Sequence, residues 1–423
     1  MSVLTISADK SHFLEAGRPF FYLADTVWSA FTNAQPEEWA EYLDYRRAQG
    51  FTALQINILP QWDRSQGASF PEPFKKGKDG RWDFGAPREE YFHSTRELAA
   101  MARERDFVPA LVFLWCNYVE GTWGAERLGP PQILLEEVDG FAAFVNETFG
   151  ALEPIYLVSG DTDFKAPVTR ALYLEALRRL KHYAPKALTT FHLNPDVSLP
   201  DEIVEMEELD FYMYQSGHHP ESQDRSYKLA AQGLGYPVKR PVLNGEPCYE
   251  GIQYFQQYGR FSSFDVRRAI WQSLLSGASA GVTYGAHGLW SWHRPGLRFG
   301  AAQFWNEPFH WRDALHLEGA WDAAFARSLF LQHGLFDLVP AQEEVDAVPE
   351  IRLARSADGA KVALYVPYAA EVKLRQDLSG LEWTAISLQD RNFRTPRVRA
   401  VQGGSTVEML PVNGDALFLG AVR

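Results

Sequence analysis

Cysteine is nearly absent from this chain. There are two, Cys116 and Cys248, among 423 residues. No disulfide framework is implied, and two free thiols fit a reducing compartment. Long apolar runs are missing as well. None approaches the roughly 20 residues that cross a bilayer, so no membrane partner is expected. Positive charge is scarce: 41 Lys and Arg face 54 Asp and Glu, for a net charge of −13. No Lys/Arg run exceeds two residues. A protein that neutralises phosphates needs basic patches, so nucleic acid is excluded as a partner. Met1-Ser2-Val3-Leu4-Thr5 has no basic segment followed by an apolar one, which predicts a cytoplasmic protein without a signal peptide. No glycine-rich phosphate loop with lysine occurs, and no GxGxxG follows a strand. No HExxH or spaced Cys/His set occurs either, so neither a cofactor nor a metal is expected. The pair His218-His219 is the one feature that hints at metal. Repeats, low-complexity tracts and heptads are also lacking.

Aromatic residues are abundant. Thirteen Trp, 18 Tyr and 28 Phe make up 14% of the chain. Most such rings are core. Trp28, Trp62, Trp115, Trp290 and Trp292 fall near strand ends, where an indole either packs the core or offers a flat face to a sugar ring.

The chain length allows one large domain and a small one. Eight short apolar runs alternate with amphipathic stretches, the pattern of a parallel sheet covered by helices. Strands are expected at 20–25, 51–59, 107–115, 154–160, 187–192, 210–215, 241–245 and 281–285. Helices are expected at about 36–50, 88–105, 131–149, from Pro167, 201–207, 222–233, 264–278 and 318–333. Residues 11–24 read as a hairpin turning at Ala16-Gly17, and 60–87 as a long functional or disordered loop. From about 350, apolar and polar residues alternate, with Asp358-Gly359, Gly403-Gly404 and Asn413-Gly414 at turns. Six or seven antiparallel strands are expected there. The reading is a (β/α)₈ TIM barrel over 1–335 followed by a small antiparallel β-sandwich over 336–423.

Active sites of such barrels lie at the C-terminal strand ends. Those positions hold Asp25, Asn57, Asn117, Asp161, Asp163, His192, Asn194, Gln215, Glu246, Glu250, Tyr284 and His287. They form a polar bowl matched to hydroxyls that both donate and accept. Asp161 ends the fourth strand and Glu246 the seventh, so the two acids can face each other across the mouth. That arrangement suits retaining glycoside hydrolysis, with Asp161 as general acid/base and Glu246 as nucleophile. Asp163 is the alternative acid, Asp161 then capping its loop, and Glu246 in a structural ion pair is the bland alternative. His192 and His287 are either donors to substrate or carboxylate, or structural histidines. With Trp115 and Trp290 added, the bowl is expected to take a small carbohydrate or glycoside. A long loop and aromatic segments at 115–123 and 290–311 predict a closed pocket and exo-action on a terminal sugar.

Several blocks carry a resemblance. They are Tyr22-Leu23-Ala24-Asp25-Thr26-Val27-Trp28, Gly50-Phe51-Thr52-Ala53-Leu54-Gln55, Ser159-Gly160-Asp161, Gln215-Ser216-Gly217-His218, Asn244-Gly245-Glu246-Pro247-Cys248-Tyr249-Glu250-Gly251 and Tyr284-Gly285-Ala286-His287-Gly288-Leu289-Trp290. Over about 10–420 the chain resembles the glycoside hydrolase family that contains the apiosidases. The resemblance implies a barrel with a collagen-binding-type C-terminal domain, and Asp161 and Glu246 as the catalytic pair. The family usually has Gly-Gly-Asp where this chain has Ser159-Gly160-Asp161. Characterised members release terminal apiose, a branched furanose, from pectic side chains. A cytoplasmic chain favours a smaller imported glycoside. A pyranoside-specific barrel hydrolase and a barrel that binds carbohydrate without catalysis are the other readings.

Overall fold

The computed structural model describes residues 3–67, 70–129, 132–253 and 259–422. Eight parallel strands form the centre: β1 Tyr22–Thr26, β2 Ala53–Asn57, β3 Val108–Trp115, β4 Ile155–Gly160, β5 Thr189–Thr190, β6 Tyr212–Gln215, β7 Val242–Glu246 and β8 Gly281–Tyr284. They pair in the order β5-β4-β3-β2-β1-β8-β7-β6. The remaining β5–β6 seam is bridged by the Asp210 N–H on the Thr189 carbonyl at 3.0 Å and by Thr190 Oγ1 on the Phe211 carbonyl at 2.6 Å. The expected barrel is thus present, with β5 reduced to two residues. The N-terminal hairpin is also present, as Phe13–Glu15 against Arg18–Phe20.

Eight helices cover the barrel: α1 Pro36–Gln49, α2 Glu89–Glu104, α3 Val138–Phe149, α4 Pro167–Tyr183, α5 Asp201–Val204, α6 Arg225–Leu234, α7 Ser263–Leu274 and α8 Gly319–His333. Their origin is local. In α1, Pro36 occupies the first turn, Glu37 and Glu38 face its positive end, and Gly50 ends it in the left-handed conformation at φ 97°. Third-helix residue 131 lies outside the described residues, and α3 itself starts at Val138 after a 3₁₀ turn, Leu135–Glu137.

The loop after β2 is more ordered than expected. It holds a hairpin, Phe74–Lys76 against Trp82–Pro87. It also pairs Ser65–Gln66 with Arg298–Phe299 from the loop after β8. The two loops are therefore joined over the barrel mouth.

Beyond α8 come ten strands in a six-stranded and a four-stranded antiparallel sheet. The count exceeds the expected six or seven. The extra strands are too short to show alternation, and two of them, Leu338–Pro340 and Val345–Asp346, precede the change of texture at 350. In the six-stranded sheet, Leu353, Val362, Leu364 and Phe418 pack toward the four-stranded sheet. Their neighbours Ala354, Ala363, Tyr365, Leu417 and Leu419 join the barrel core. Period-2 alternation thus divides this sheet between two cores. At the seam, Arg267 of α7 is held by Asp415 at 2.8 Å and Asp322 at 2.9 Å, all three buried. No described helix is long and apolar enough to cross a membrane.

Candidate active site

The C-terminal ends of the strands open into a cavity of about 270 Å³. Asp161, Gln215, Glu246, Trp115 and Trp290 line it, together with Trp28, Trp62, Asp63, Trp123, Arg127, Asn194, His218, Tyr249, Phe304 and Trp305. Its floor is aromatic. Trp28 meets Trp115 edge-on at 5.1 Å and donates its indole N–H to Tyr249 at 2.9 Å.

Two glycines bring the acids to this floor. A Cβ on Gly160 would sit 2.0 Å from the Trp115 ring, so only glycine lets β4 pass under the indole. Asp161 then turns left-handed at φ 50°, a region where Asp is tolerated better than most residues. Its carbonyl accepts the Trp123 indole N–H at 2.8 Å. On β7, a Cβ at Gly245 would meet Met213 at 2.3 Å. The Gly245 carbonyl accepts the Gln55 side-chain amide inside the barrel at 2.9 Å.

Glu246 is buried between two imidazoles. His218 Nε2 lies 2.8 Å from Oε1, and His192 Nε2 lies 3.0 Å from Oε2. Backbone N–H groups fix both rings. Tyr249 N donates to His218 Nδ1, and Asp161 N donates to His192 Nδ1, each at 3.2 Å. An Nδ1 that accepts leaves the ring hydrogen on Nε2, so both rings turn Nε2 toward Glu246: His218 completes a hydrogen bond to Oε1, while His192 approaches Oε2 without the alignment of one. Burial would raise the Glu246 carboxyl, but the His192 and His218 donors outweigh it and bring it down to about 2. Asp161 has the opposite environment. Burial, then the charges of Glu246 and Asp63, hold its carboxyl well above the usual range, against a hydrogen bond from Gln215. Two carboxyls in one cavity are thereby pushed apart, one to hold a proton and one to lack it. An oxygen of Asp161 and one of Glu246 lie within 4.8 Å of each other.

Asp161, His192 and Glu246 also have the spacing of a metal triad. Their chemistry fits poorly. A cation would need the His192 Nε2 lone pair, which carries the ring hydrogen, and a deprotonated Asp161.

Several residues of this lining carry orphaned polar atoms. Trp62 Nε1, Asp63 Oδ1, Trp115 Nε1, Asp161 Oδ1, Gln215 Oε1, Glu246 Oε2 and Trp290 Nε1 are buried and have no hydrogen-bond partner among the described residues. Donors and acceptors are mixed, as a polyhydroxy ligand requires.

The structure does not bring every expected residue here. Asp25 is a correction. It lies behind the barrel wall, 2.5 Å from Arg46 Nε of α1, and accepts from Tyr42 at 2.8 Å. Tyr284 and Glu250 bond each other at 2.7 Å, and Glu250 also takes the Gly319 N–H at 2.8 Å at the start of α8. Asp163 accepts from its own loop, at Lys165 N, 3.2 Å away. His287 binds the Asn306 carbonyl at 2.7 Å and stacks behind Trp290. Burial brings its ring down to about 3, so it stays neutral there. Asn57 is buried outside the lining, with both amide atoms unpartnered, and Asn117 lines a neighbouring depression. Sequence reasoning missed Asp63 and Arg127, reached Trp123 and Trp305 only through the aromatic segments at 115–123 and 290–311, quoted Tyr249 and His218 only within the resemblance, and weighed His218 by its chemistry only for metal. The signal for His218 was its place three residues after Gln215, at the end of β6.

Similarity to known proteins agrees with this geometry. A search of curated protein sequences finds no match. Among solved structures, one described as a glycoside hydrolase aligns with TM-score 0.80 at 18% identity, covering 100% of this chain and 97% of that one. A glycoside hydrolase family 5 protein from Bacteroides vulgatus ATCC 8482 aligns with TM-score 0.81 at 18% identity, covering 99% and 93%. The exo-β-1,4-mannosidase Op5Man5 from Opitutaceae bacterium strain TAV5 aligns with TM-score 0.50 at 14% identity, covering 78% and 63%. These likenesses concern the fold. The sequence profile of the apiosidase-like catalytic domain matches residues 7–337, and the chain belongs to that family of glycoside hydrolases.

Proposed function

We propose that the protein is an exo-acting retaining glycoside hydrolase that removes a terminal, apiose-like furanose from a small glycoside. The observation that carries this reading is the set of orphaned donors and acceptors around two carboxyls of opposite protonation. Asp161 gives its proton to the glycosidic oxygen. Glu246 attacks the anomeric carbon and forms a glycosyl-enzyme. Asp161, now ionised, takes a proton from the water that releases the sugar. A separation within 4.8 Å between carboxyl oxygens favours retention, since inverting pairs stand about 6.5–9.5 Å apart to admit a water. A cavity of about 270 Å³ suits one enclosed ring, and the family supports apiose as that ring.

A panel of 4-nitrophenyl furanosides and pyranosides tests the reading, with the first-formed anomer followed by proton NMR. Turnover of a furanoside with retained configuration is expected, and no loss on chelation with EDTA. Inversion would reassign Glu246 as a base. Preference for a mannopyranoside, in line with the exo-mannosidase of like fold, would keep the chemistry and change the sugar.

A further inference from the structure

Asp63 is a third acid in the cavity, and neither of the two catalytic roles uses it. It sits on the loop after β2, beside Trp62, and lines the same wall as Asp161 and Glu246. Its exposure is only 9%. Its Oδ1 is buried without a partner, and among the described residues no Arg or Lys pairs with it. A carboxyl in such a place is costly unless something binds it.

Its position is also held firmly. Ser65 N donates to the Ser291 carbonyl at 3.1 Å, and Asn33 Nδ2 donates to the Ser65 carbonyl at 2.7 Å. Gly300 lies so close that a Cβ there would meet the Trp62 and Arg64 carbonyls at 2.8 and 2.9 Å. The loops after β2 and β8 thus clamp Asp63 in place. A buried side chain held this firmly in the lining of a sugar-sized cavity, with an oxygen that no protein group satisfies, is a recognition group.

We propose that Asp63 determines specificity by hydrogen-bonding the hydroxyls of the enclosed ring, and that the ring is therefore a neutral sugar and not a uronate. This rests on the glycosidase reading above. Burial holds the Asp63 carboxyl well above its usual range, against its own backbone N–H and with the Glu246 charge adding to the rise. In that form it donates through one oxygen and accepts through the other, which suits two neighbouring hydroxyls. A uronate would instead bring its own carboxylate against the ionised Glu246 in the same cavity.

The test compares the wild type, Asp63→Ala and Asp63→Asn on the best-cleaved 4-nitrophenyl glycoside and on its single deoxy analogues. For Asp63→Ala, kcat/KM should fall roughly 10- to 100-fold on the parent, the loss of one hydrogen bond to a buried group. On the analogue lacking the contacted hydroxyl, the variant and the wild type should be nearly equal. Asp63→Asn, which keeps a donor and an acceptor, should retain most of the parent activity. An equal loss on every deoxy analogue would make Asp63 structural and overturn the proposal. So would efficient cleavage of the matching uronide. If no glycoside is cleaved, tryptophan fluorescence gives the Kd of the same compounds. Binding that weakens in Asp63→Ala would then support Asp63 while the hydrolase reading fails. Binding unchanged in Asp63→Ala, or no binding by the wild type, would overturn it.

Discussion

The backbone N–H of Asp161 donates to Nδ1 of His192 at 3.2 Å, and the same imidazole turns Nε2 to Glu246 at 3.0 Å. The left-handed turn that aims the acid therefore also sets the tautomer facing the other carboxylate. His218 repeats the arrangement from the opposite side, with Tyr249 supplying the backbone N–H.

The two imidazoles should control the acid limb of the pH profile. In the proposed mechanism Glu246 acts ionised, and the two imidazoles bring its carboxyl down to about 2 against the effect of burial. Activity should then be flat down to the pH where the protein unfolds. His218→Ala or His192→Ala removes a donor and lets burial raise the carboxyl. A hydrogen bond to a charged group is worth about 1.5–3 kcal/mol, or roughly one to two pH units. The acid limb should move up accordingly and become measurable. Rate profiles of both variants between pH 3 and 9 check this. An unmoved limb with reduced kcat would mean that the histidines only position the carboxylate.

Asp161→Asn should lose activity most on poor leaving groups, since activated aryl glycosides need little proton assistance. The alkaline limb of the wild type, which reports loss of the Asp161 proton, should disappear. Stability gives a second readout. The folded carboxyl is raised above its ordinary 3.8. Its contribution is intact below about 3.8 and is lost as pH rises through the folded value. Asp161→Asn should thus melt higher than the wild type at neutral pH, with the gap closing near pH 4. A gap that widens toward acid would reverse the assignment.

Asp25→Ala should damage the fold and spare the chemistry. It leaves Arg46 buried without its partner, a loss of about 3–5 kcal/mol. A large drop in Tm is expected, with near-normal kcat in the fraction that remains folded. Normal stability with lost turnover would return Asp25 to the site.

The barrel, its strand order and the meeting of Asp161 and Glu246 in one cavity were legible because apolar runs, helix punctuation and acids at strand ends are local features. What misled was parity. Asp25 and Tyr284 are register partners on β1 and β8. Both point outward, to Arg46, Tyr42 and Glu250. Their neighbours on the other face point in, as Tyr22 does when it donates to Gln55 at 3.3 Å. A polar residue at a strand end fits either face, so the sequence does not say which. Asp63 was missed because it lies six residues past the end of β2. Only the pairing of Ser65–Gln66 with Arg298–Phe299 carries it over the mouth.

We propose a domain boundary at 335/336, within the turn Leu335–Asp337, and expect the barrel not to stand alone. Removing 336–423 takes Asp415 from Arg267 and strips Ala354, Tyr365 and Leu417 from the barrel core. A 1–335 fragment should aggregate or melt well below the full chain. Asp415→Ala in the full chain should reproduce part of that loss, because Arg267 keeps Asp322. A soluble fragment with the Tm of the full chain would show that the seam contributes little.

Product size should follow from the roof of the cavity. Trp62 meets Trp123 at 6.0 Å and Phe304 at 6.2 Å, both edge-on, and so joins the loops after β2, β3 and β8 above the acids. A polymer threading past Glu246 would need an open groove on both sides. Here Trp62, Trp123, Trp290 and Trp305 crowd the lining, which also carries the exposed Arg127. Single terminal sugars should therefore be released, with strict recognition of the enclosed ring and loose recognition of the aglycone. A hydroxyl buried there without its partner costs about 1–3 kcal/mol, so each epimer of the ring should lose roughly 10- to 100-fold in kcat/KM. Changes to the aglycone should matter far less. Chromatography of products from a polysaccharide and from a small glycoside checks both statements. A ladder of oligosaccharides, or a strong preference for the polymer, would mean that the aromatic roof opens in solution and that the pocket is a groove.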